Sequence, residues 1–367
     1  MTDPESPPPP AGPPAPSAPS PSSGHRRRPR YAGKNPRRFG EKYKELDAGR
    51  YAADVARVIA SGKTPAGTHR PVMVAEILAV LAPQPGEIAV DCTLGFGGHA
   101  RELLARLAPG GRLIGLDVDP VEQPKTVARL RAAGWGEDVF SPVRSNFAGL
   151  GRVLAGLGLD GADAILADRG VSSMQLDDPA RGFSFKADSP LDLRLNPQRA
   201  PSAADWLARV PAGDLAGVLA ENADEPNAGL LARELTARRQ AAPFTRTGQL
   251  ATAIREILRA HQPRHDPMAG DDCVRRVFQA LRIAVNDEFG ALDQFLRQLP
   301  ACLKPGGRVA ILTFHSGEDR RVKHAFRAGR RSGIYSAASE DVVRSGPAER
   351  RDNPRSSPAK LRWAVRT

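Results

Sequence analysis

Two acids flanking a glycine-rich turn mark where chemistry is most legible in this chain. Asp91 to His99 reads DCTLGFGGH, so a short apolar run ends in an acid and leads into Gly95, Gly97 and Gly98. Glycines there remove the Cβ atoms that would keep the backbone away from a nucleotide. The N–H groups at the start of the following helix face such a ligand. The next apolar run ends at Asp117, 22 residues after Gly95. A carboxylate at that point can accept hydrogen bonds from both hydroxyls of a ribose. Two cofactor classes use this arrangement. A dinucleotide site calls for GxGxxG with the helix dipole aimed at a pyrophosphate, whereas the spacing here is GxGG, and no Lys-Ser/Thr follows to form a phosphate loop. S-adenosylmethionine carries a sulfonium cation and no phosphate, which suits a turn bordered by carboxylates. These residues favour S-adenosylmethionine over NAD.

A third apolar run ends at Asp168 and feeds ILADRGVSSMQLDDPARGFSFKADSPLDLRLNP (165–197). A strand that delivers an acid and then Gly170 into a polar loop is where a doubly wound sheet opens its crevice. The Ser172–Ser173 pair lacks the GxSxG elbow of a hydrolase. Cys92, Cys273 and Cys302 form no CxxC pair, and His315 and His324 stand in no carboxylate–histidine cluster with ligand spacing, so no metal is expected. A reducing cytoplasm is the natural setting for such thiols.

These residues need elements to position them. Strands are expected at 88–90, 113–116, 162–167 and 308–313, the last after the turn KPGG (304–307). Helical spacing is seen over 72–81 and 100–107. Strands alternating with helices predict a parallel, doubly wound α/β sheet with helices on both faces. Between Asp168 and Arg308 the chain is far longer than one crossover needs. Helical patterns at 203–210, 228–239 and 249–261 predict an inserted helical subdomain over 178–275. A single helix over 277–299 would then return to the sheet. The α/β domain is accordingly expected over 67–177 and 276–367.

Residues 1–24 are Pro, Ser and Ala and cannot bury a core, and 25–44 are basic with interleaved aromatics. Residues 1–66 are therefore expected to be a disordered tail. The net charge is +12, of which this segment supplies half. Such a balance favours a polyanionic partner, nucleic acid first. No apolar run approaches the ~20 residues of a membrane span.

The string from GVSS through QLDDPARGFSF to SPLDLRLNP resembles the ribosomal RNA small subunit methyltransferase H family. Five other stretches are similar: HRPVMVAEIL (69–78), GFGGH (95–99), TRTGQLA (245–251), RVFQALRIAVNDE (276–288) and TFHSGEDRRVK (313–323). NPRSSPAKLRWA (353–364) resembles the family's closing strand. The resemblance implies a class I (Rossmann-like) methyltransferase sheet with an inserted helical domain. It also implies methylation of a cytosine N4 amine in the decoding region of small-subunit rRNA, using S-adenosylmethionine. The cofactor contacts it implies are Gly97, Gly98, His99, Asp117, Phe147, Asp168 and Gln175, with Phe147 packing on the adenine. Asp168 would polarise or orient the amine, and Ser172, Ser173, His315 and Ser316 would touch the base. The expected partner is small-subunit rRNA or the assembled small subunit, with no membrane and no metal; a homodimer is left open.

The chain departs from the family at identifiable points. Ala167 and Arg169 flank Asp168 where the family reads Leu-Asp-Leu-Gly, and Arg169 places a cation beside the cofactor pocket. Asn222-Ala223-Asp224-Glu225 replaces Tyr-Gly-Glu-Glu, and Asp272-Cys273-Val274 replaces His-Pro-Ala. Gly317 stands where Leu is expected, and Ser357-Pro358 replaces Arg-Ser. Two alternatives stay open at this point: a divergent paralogue acting on another RNA, and a non-catalytic RNA-binding or ribosome-assembly protein. DNA amino-methylation is disfavoured, because that class carries Asp/Asn/Ser-Pro-Pro-aromatic where this chain has DRGV (168–171).

Overall fold

The structure is a computed structural model that describes residues 71–171, 175–176, 178–199, 201–261 and 267–367, with the side chains of 267–269 excepted. The expected N-terminal tail and the Ser172–Ser173 pair lie outside the described residues.

The α/β part runs α1 (Val74–Leu81), β1 (Ile88–Asp91), α2 (Gly98–Leu107), β2 (Arg112–Asp117), α3 (Glu122–Ala132), β3 (Phe140–Arg144), α4 (Leu150–Gly156) and β4 (Ala162–Asp168). An insert follows, with α5 (Ala203–Arg209), α6 (Ala212–Ala223), α7 (Ala228–Ala241), α8 (Thr247–His261) and α9 (Pro267–Asn286). The chain then returns through α10 (Glu288–Cys302), β5 (Leu303–Thr313), α11 (Ser316–Arg331), β6 (Tyr335–Ala338), α12 (Pro347–Asp352) and β7 (Lys360–Arg366).

The strands form one sheet in the order β3-β2-β1-β4-β5-β7-β6. The first five are parallel, and β7 is antiparallel to both its neighbours. Both faces are covered, which is why the central strands are rich in apolar residues on both sides. Strand alternation sends successive side chains to opposite faces. Val90, Ile114, Leu116, Ile165 and Ile311 pack with Leu150, Phe295 and Phe326 on one side. Ala89, Leu113, Leu166 and Leu312 pack with Ile77, Leu103, Leu104 and Leu130 on the other. The strand order reverses at β1, between β2 and β4, so the crevice opens beyond the ends of these three strands. Asp91, Asp117 and Asp168 are their last residues. β5 is longer than expected: pairing with β4 begins at Leu303, and a register shift there absorbs the KPGG stretch.

The insert has its own core, in which Leu207, Leu215, Leu231, Leu250 and Ile254 meet. The residues of that core run from Phe183 to Val285. The helix expected over 277–299 is two helices, α9 and α10, broken at Asp287, which adopts φ 47°. Just before the break, Asn286 donates to the Leu193 carbonyl at 2.7 Å and accepts the Leu195 N–H at 2.7 Å, which ties α9 to the insert. Val277, Phe278, Leu281 and Val285 of α9 therefore pack in the insert core, along with Phe183, Leu191 and Leu193 from before α5. Only α10 lies on the sheet, through Leu292, Phe295 and Leu299. No helix among the described residues is long and apolar enough to cross a membrane.

Candidate active site

The glycine turn is built by backbone pairing before any ligand is considered. Leu94 donates to the Leu116 carbonyl at 2.8 Å, and the Thr126 hydroxyl donates to the Gly95 carbonyl at 2.5 Å. Gly97 takes φ 74°, a left-handed conformation that favours glycine, and a Cβ there would meet Thr126 Cγ2 at 2.9 Å. Helix α2 starts at the next residue, where a Cβ on Gly98 would meet Pro71 at 3.1 Å. Asp117 is locked onto this turn. Its Oδ2 accepts the Gly95 N–H at 2.8 Å, and its Oδ1 accepts the Asp119 N–H at 2.9 Å. Burial pushes the Asp117 carboxyl up, and these backbone donors oppose that shift.

Asp168 is positioned by the same β1 end. Its amide donates to Thr93 Oγ1 at 2.7 Å. His99 Nε2 is 2.9 Å from the Val72 carbonyl, which fixes the donor on that nitrogen and turns Nδ1 toward Asp168 Oδ2 at 3.6 Å. Burial raises the proton affinity of Asp168, with His99 working against the shift and Glu318 adding to it. Asp91 lies in the same electrostatic neighbourhood and is almost completely buried. Burial pushes its carboxyl up to about 6, and Oδ2 has no hydrogen-bond partner among the described residues.

Arg169 does not stand as a loose cation. Only 4% exposed, it directs Nε to Glu318 Oε1 at 3.3 Å and donates through Nη2 to the Glu288 carbonyl at 3.0 Å. Its guanidinium lies over the Phe147 ring, which also meets Phe295 edge-on with 5.4 Å between centroids. Phe147 thus lines the cavity with the guanidinium stacked against its ring. Burial would raise Glu318, but His315, Arg169 and the Phe314 N–H outweigh it and hold its carboxyl at about 2. His315 Nε2 stands 3.4 Å from Glu318 Oε2. The His315 ring tilts against Phe289 at 5.7 Å. Gly317 permits this approach, because a Cβ there would meet Phe289 Cζ at 2.7 Å.

A cavity of about 690 Å³ joins these groups. Gly98, His99, Asp117, Phe147, Asp168, Gln175 and His315 line it, as do Phe278, Gln279 and Arg282 from α9 of the insert. Two expected residues are placed elsewhere. Gly97 sits behind the wall, packed on α3. The exposed Ser316 donates its hydroxyl to Asp224 Oδ2 at 2.9 Å, where Arg320 also reaches at 3.4 Å. The altered insert stretch therefore docks on α11 through Asp224, while its neighbour Glu225 is buried against Arg276 at 2.7 Å.

Residues 66–367 match the model of the MraW methylase family. The chain is 47% identical over 343 residues to ribosomal RNA small subunit methyltransferase H 1 of Agathobacter rectalis, covering 93% of this chain and 98% of that one. It is 46% identical to ribosomal RNA small subunit methyltransferase H 2 of Alkaliphilus metalliredigens, covering 93% and 97%. To ribosomal RNA small subunit methyltransferase H of Thioalkalivibrio sulfidiphilus it is 42% identical, covering 83% and 99%. The chain belongs to the MraW methylase family.

Several residues that shape the methylase's cavity escaped sequence reading. Asp119 is fully buried. Its Oδ2 accepts from Gln175 Nε2 at 2.8 Å and from Arg181 Nη1 at 2.9 Å, while its Oδ1 accepts the Val121 and Glu122 amides that open α3. One carboxylate thus ties the loop after β4 to the loop after β2. Its signal was present in DPVE (119–122), which has capping spacing. Arg282 holds Glu288 through two bonds of 2.7 and 3.0 Å at the break between α9 and α10. Among the described residues, no group of three or more His, Cys, Asp or Glu could hold a metal ion.

Proposed function

We propose that this methylase transfers a methyl group from S-adenosylmethionine to the exocyclic N4 amine of a cytosine in the decoding region of small-subunit rRNA. One observation carries the reading. Asp117, locked on Gly95, and Asp168, locked on Thr93, open onto one cavity whose opposite wall is the helical insert.

The residues fit a cationic nucleoside cofactor. Asp91, Asp117 and Asp168 concentrate negative charge at the strand ends, and burial holds all three up in proton affinity. The neighbouring cations Arg169 and Arg282 are already neutralised by Glu318 and Glu288. When bound, S-adenosylmethionine supplies an electrophilic methyl group on its sulfonium. Asp117 would hold the ribose hydroxyls, and Gly98, His99, Phe147 and Gln175 would form the rest of that half of the wall.

A cytosine N4 amine is a poor nucleophile because its lone pair is delocalised into the ring. The protein must therefore orient the nitrogen and accept its proton as the new N–C bond forms. Asp168 suits both tasks: it is half-buried at the cavity wall, burial raises its proton affinity, and His99 Nδ1 stands 3.6 Å from its carboxylate. His315 lines the cavity, with both ring nitrogens buried and neither hydrogen-bonded among the described residues. It would read the base edge together with Ser172 and Ser173. Ser316 would act by holding the insert rather than the base. The target must leave its stack to reach this depth, so a looped or unpaired site is the natural substrate. Ribosomal RNA is the partner, met in the cytoplasm.

A second reading keeps the chemistry and changes the position. The relatives at 46–47% identity carry the numbered names H 1 and H 2, as does one at 41%, while others at 41–42% carry the plain name H. In this reading the same amine chemistry falls on another cytosine. Titration calorimetry with S-adenosylmethionine, followed by transfer of labelled methyl to rRNA, tests the main proposal. It expects one cofactor per chain and label in small-subunit RNA; no binding at millimolar cofactor rejects it.

A further inference from the structure

The second half of α11 has no acidic residue: from Lys323 it reads KHAFRAGRR. Its inner face is apolar, with Val322 and Phe326 buried and Gly329 packed against the Tyr335 ring. The outer face carries Lys323, His324, Arg327, Arg330 and Arg331, all exposed except the half-buried Lys323. None of these five side chains has an ion pair among the described residues. That contrasts with the first turns of the same helix. There Glu318 and Asp319 are taken by Arg169 and Arg362, Arg320 meets Asp224, and Arg321 meets Asp293.

Cations in the last turn complement the helix dipole, which accounts for Arg330 and Arg331 but not for Lys323 and Arg327. Positions 323, 327, 330 and 331 recur at helical spacing on one face and span about 12 Å at 1.5 Å per residue. The helix begins beside the cavity, since its N-cap is the cavity-lining His315. The ridge starts at Lys323, eight residues or about 12 Å of helix beyond that cap.

We propose that the outer face of α11, from Lys323 to Arg331, is a phosphate-binding ridge that carries the RNA strand flanking the target base. The inference rests on the RNA reading above, and it assigns a surface that the cavity does not include. Arginine on three of the positions suits bidentate contact with phosphate oxygens. The partner is the RNA backbone rather than a base edge, so the ridge supplies affinity and register without sequence preference.

The test is a fourfold variant, Lys323→Gln, Arg327→Gln, Arg330→Gln and Arg331→Gln, with a double variant Arg327→Gln, Arg330→Gln as a graded control. Binding of a decoding-region RNA fragment is followed by fluorescence anisotropy over a range of salt concentrations. Circular dichroism and calorimetry with S-adenosylmethionine confirm that the fold and cofactor site are unaffected. Four lost phosphate contacts should flatten the slope of log K against log salt by about 3, and the double variant by about half of that. In turnover, KM for RNA should rise about tenfold or more with kcat unchanged. An unchanged slope overturns the ridge and leaves the proposed function standing. Normal binding of the fragment with weakened binding of purified small subunits also overturns it, by pointing to an acidic protein partner. Failure of the wild-type protein to bind any RNA overturns the RNA reading itself, and the ridge with it.

Discussion

The Arg169 guanidinium carbon lies 4.7 Å from the centre of the Phe147 ring, a stacked cation–π contact inside the wall of the cavity. Arg169 is also the cation that the sequence places beside the cofactor pocket, next to Asp168. Its charge is answered by Glu318 from α11, so the cavity gains a rigid wall rather than an unpaired cation that would oppose a sulfonium.

The first prediction follows from that pair. Arg169→Leu leaves the Glu318 carboxylate buried without its guanidinium partner, and breaking a buried pair in this way costs about 3 kcal/mol or more. Urea denaturation should show this loss. The double variant Arg169→Leu, Glu318→Gln should recover most of it, because no buried charge is then left alone. Equal losses in the single and double variants would show that the pair is not what holds the wall.

Asp168→Asn keeps the shape and the Thr93 contact but removes the proton acceptor. The expected outcome is a fall in kcat of about 10²–10⁴-fold, with the dissociation constant for S-adenosylmethionine shifted by less than tenfold. Single-turnover kinetics beside calorimetry separate the two. Full turnover in this variant would reject the acceptor role and leave Asp168 as a cofactor contact.

Stability should depend on pH with two opposed slopes. Glu318 is held at about 2, below the ordinary glutamate value of about 4.3, so the unfolded chain binds its proton first. Its contribution is therefore present above about pH 4.3 and is lost as the pH falls toward 2. Asp91 is pushed up to about 6, above the ordinary aspartate value of about 3.9, so the folded chain holds its proton longer. Between about pH 4 and 6, Asp91 makes the fold less stable as pH rises. Denaturation at closely spaced pH values should show a rise up to about 4.3, and Asp91→Asn should lessen the decline that follows, to which the raised Asp117 and Asp168 also contribute. A decline unchanged in that variant would assign it to other groups.

What the sequence disclosed and what it hid divide along the range of the interactions. The four expected strands were legible because a sheet covered on both faces demands apolar runs, as in Leu113 to Leu116, whereas β3 (FSPVR) and β6 (YSAA) carry no such run and were not foreseen. Asp117 and the glycines were legible because the turn that uses them is local. The break at Asp287 was not, since Asn286 and Asp287 interrupt an apolar period that continues on either side, and the break is fixed by Asn286 reaching back to Leu193. Arg169 looked like a liability because its answer, Glu318, lies 149 residues away. Ser316 looked like a base contact until Asp224, 92 residues distant, took its hydroxyl. Pairings of that range are settled by the fold, and residue types alone do not announce them.

The most direct test of the account is mass spectrometry of small-subunit rRNA nucleosides and fragments from cells lacking this gene, beside the parent strain. The account predicts loss of one N4-methylated cytidine within the decoding region and its return when the gene is restored, with no return when the restored copy carries Asp168→Asn. An unchanged set of N4-methylated cytidines in the deletion strain would contradict it.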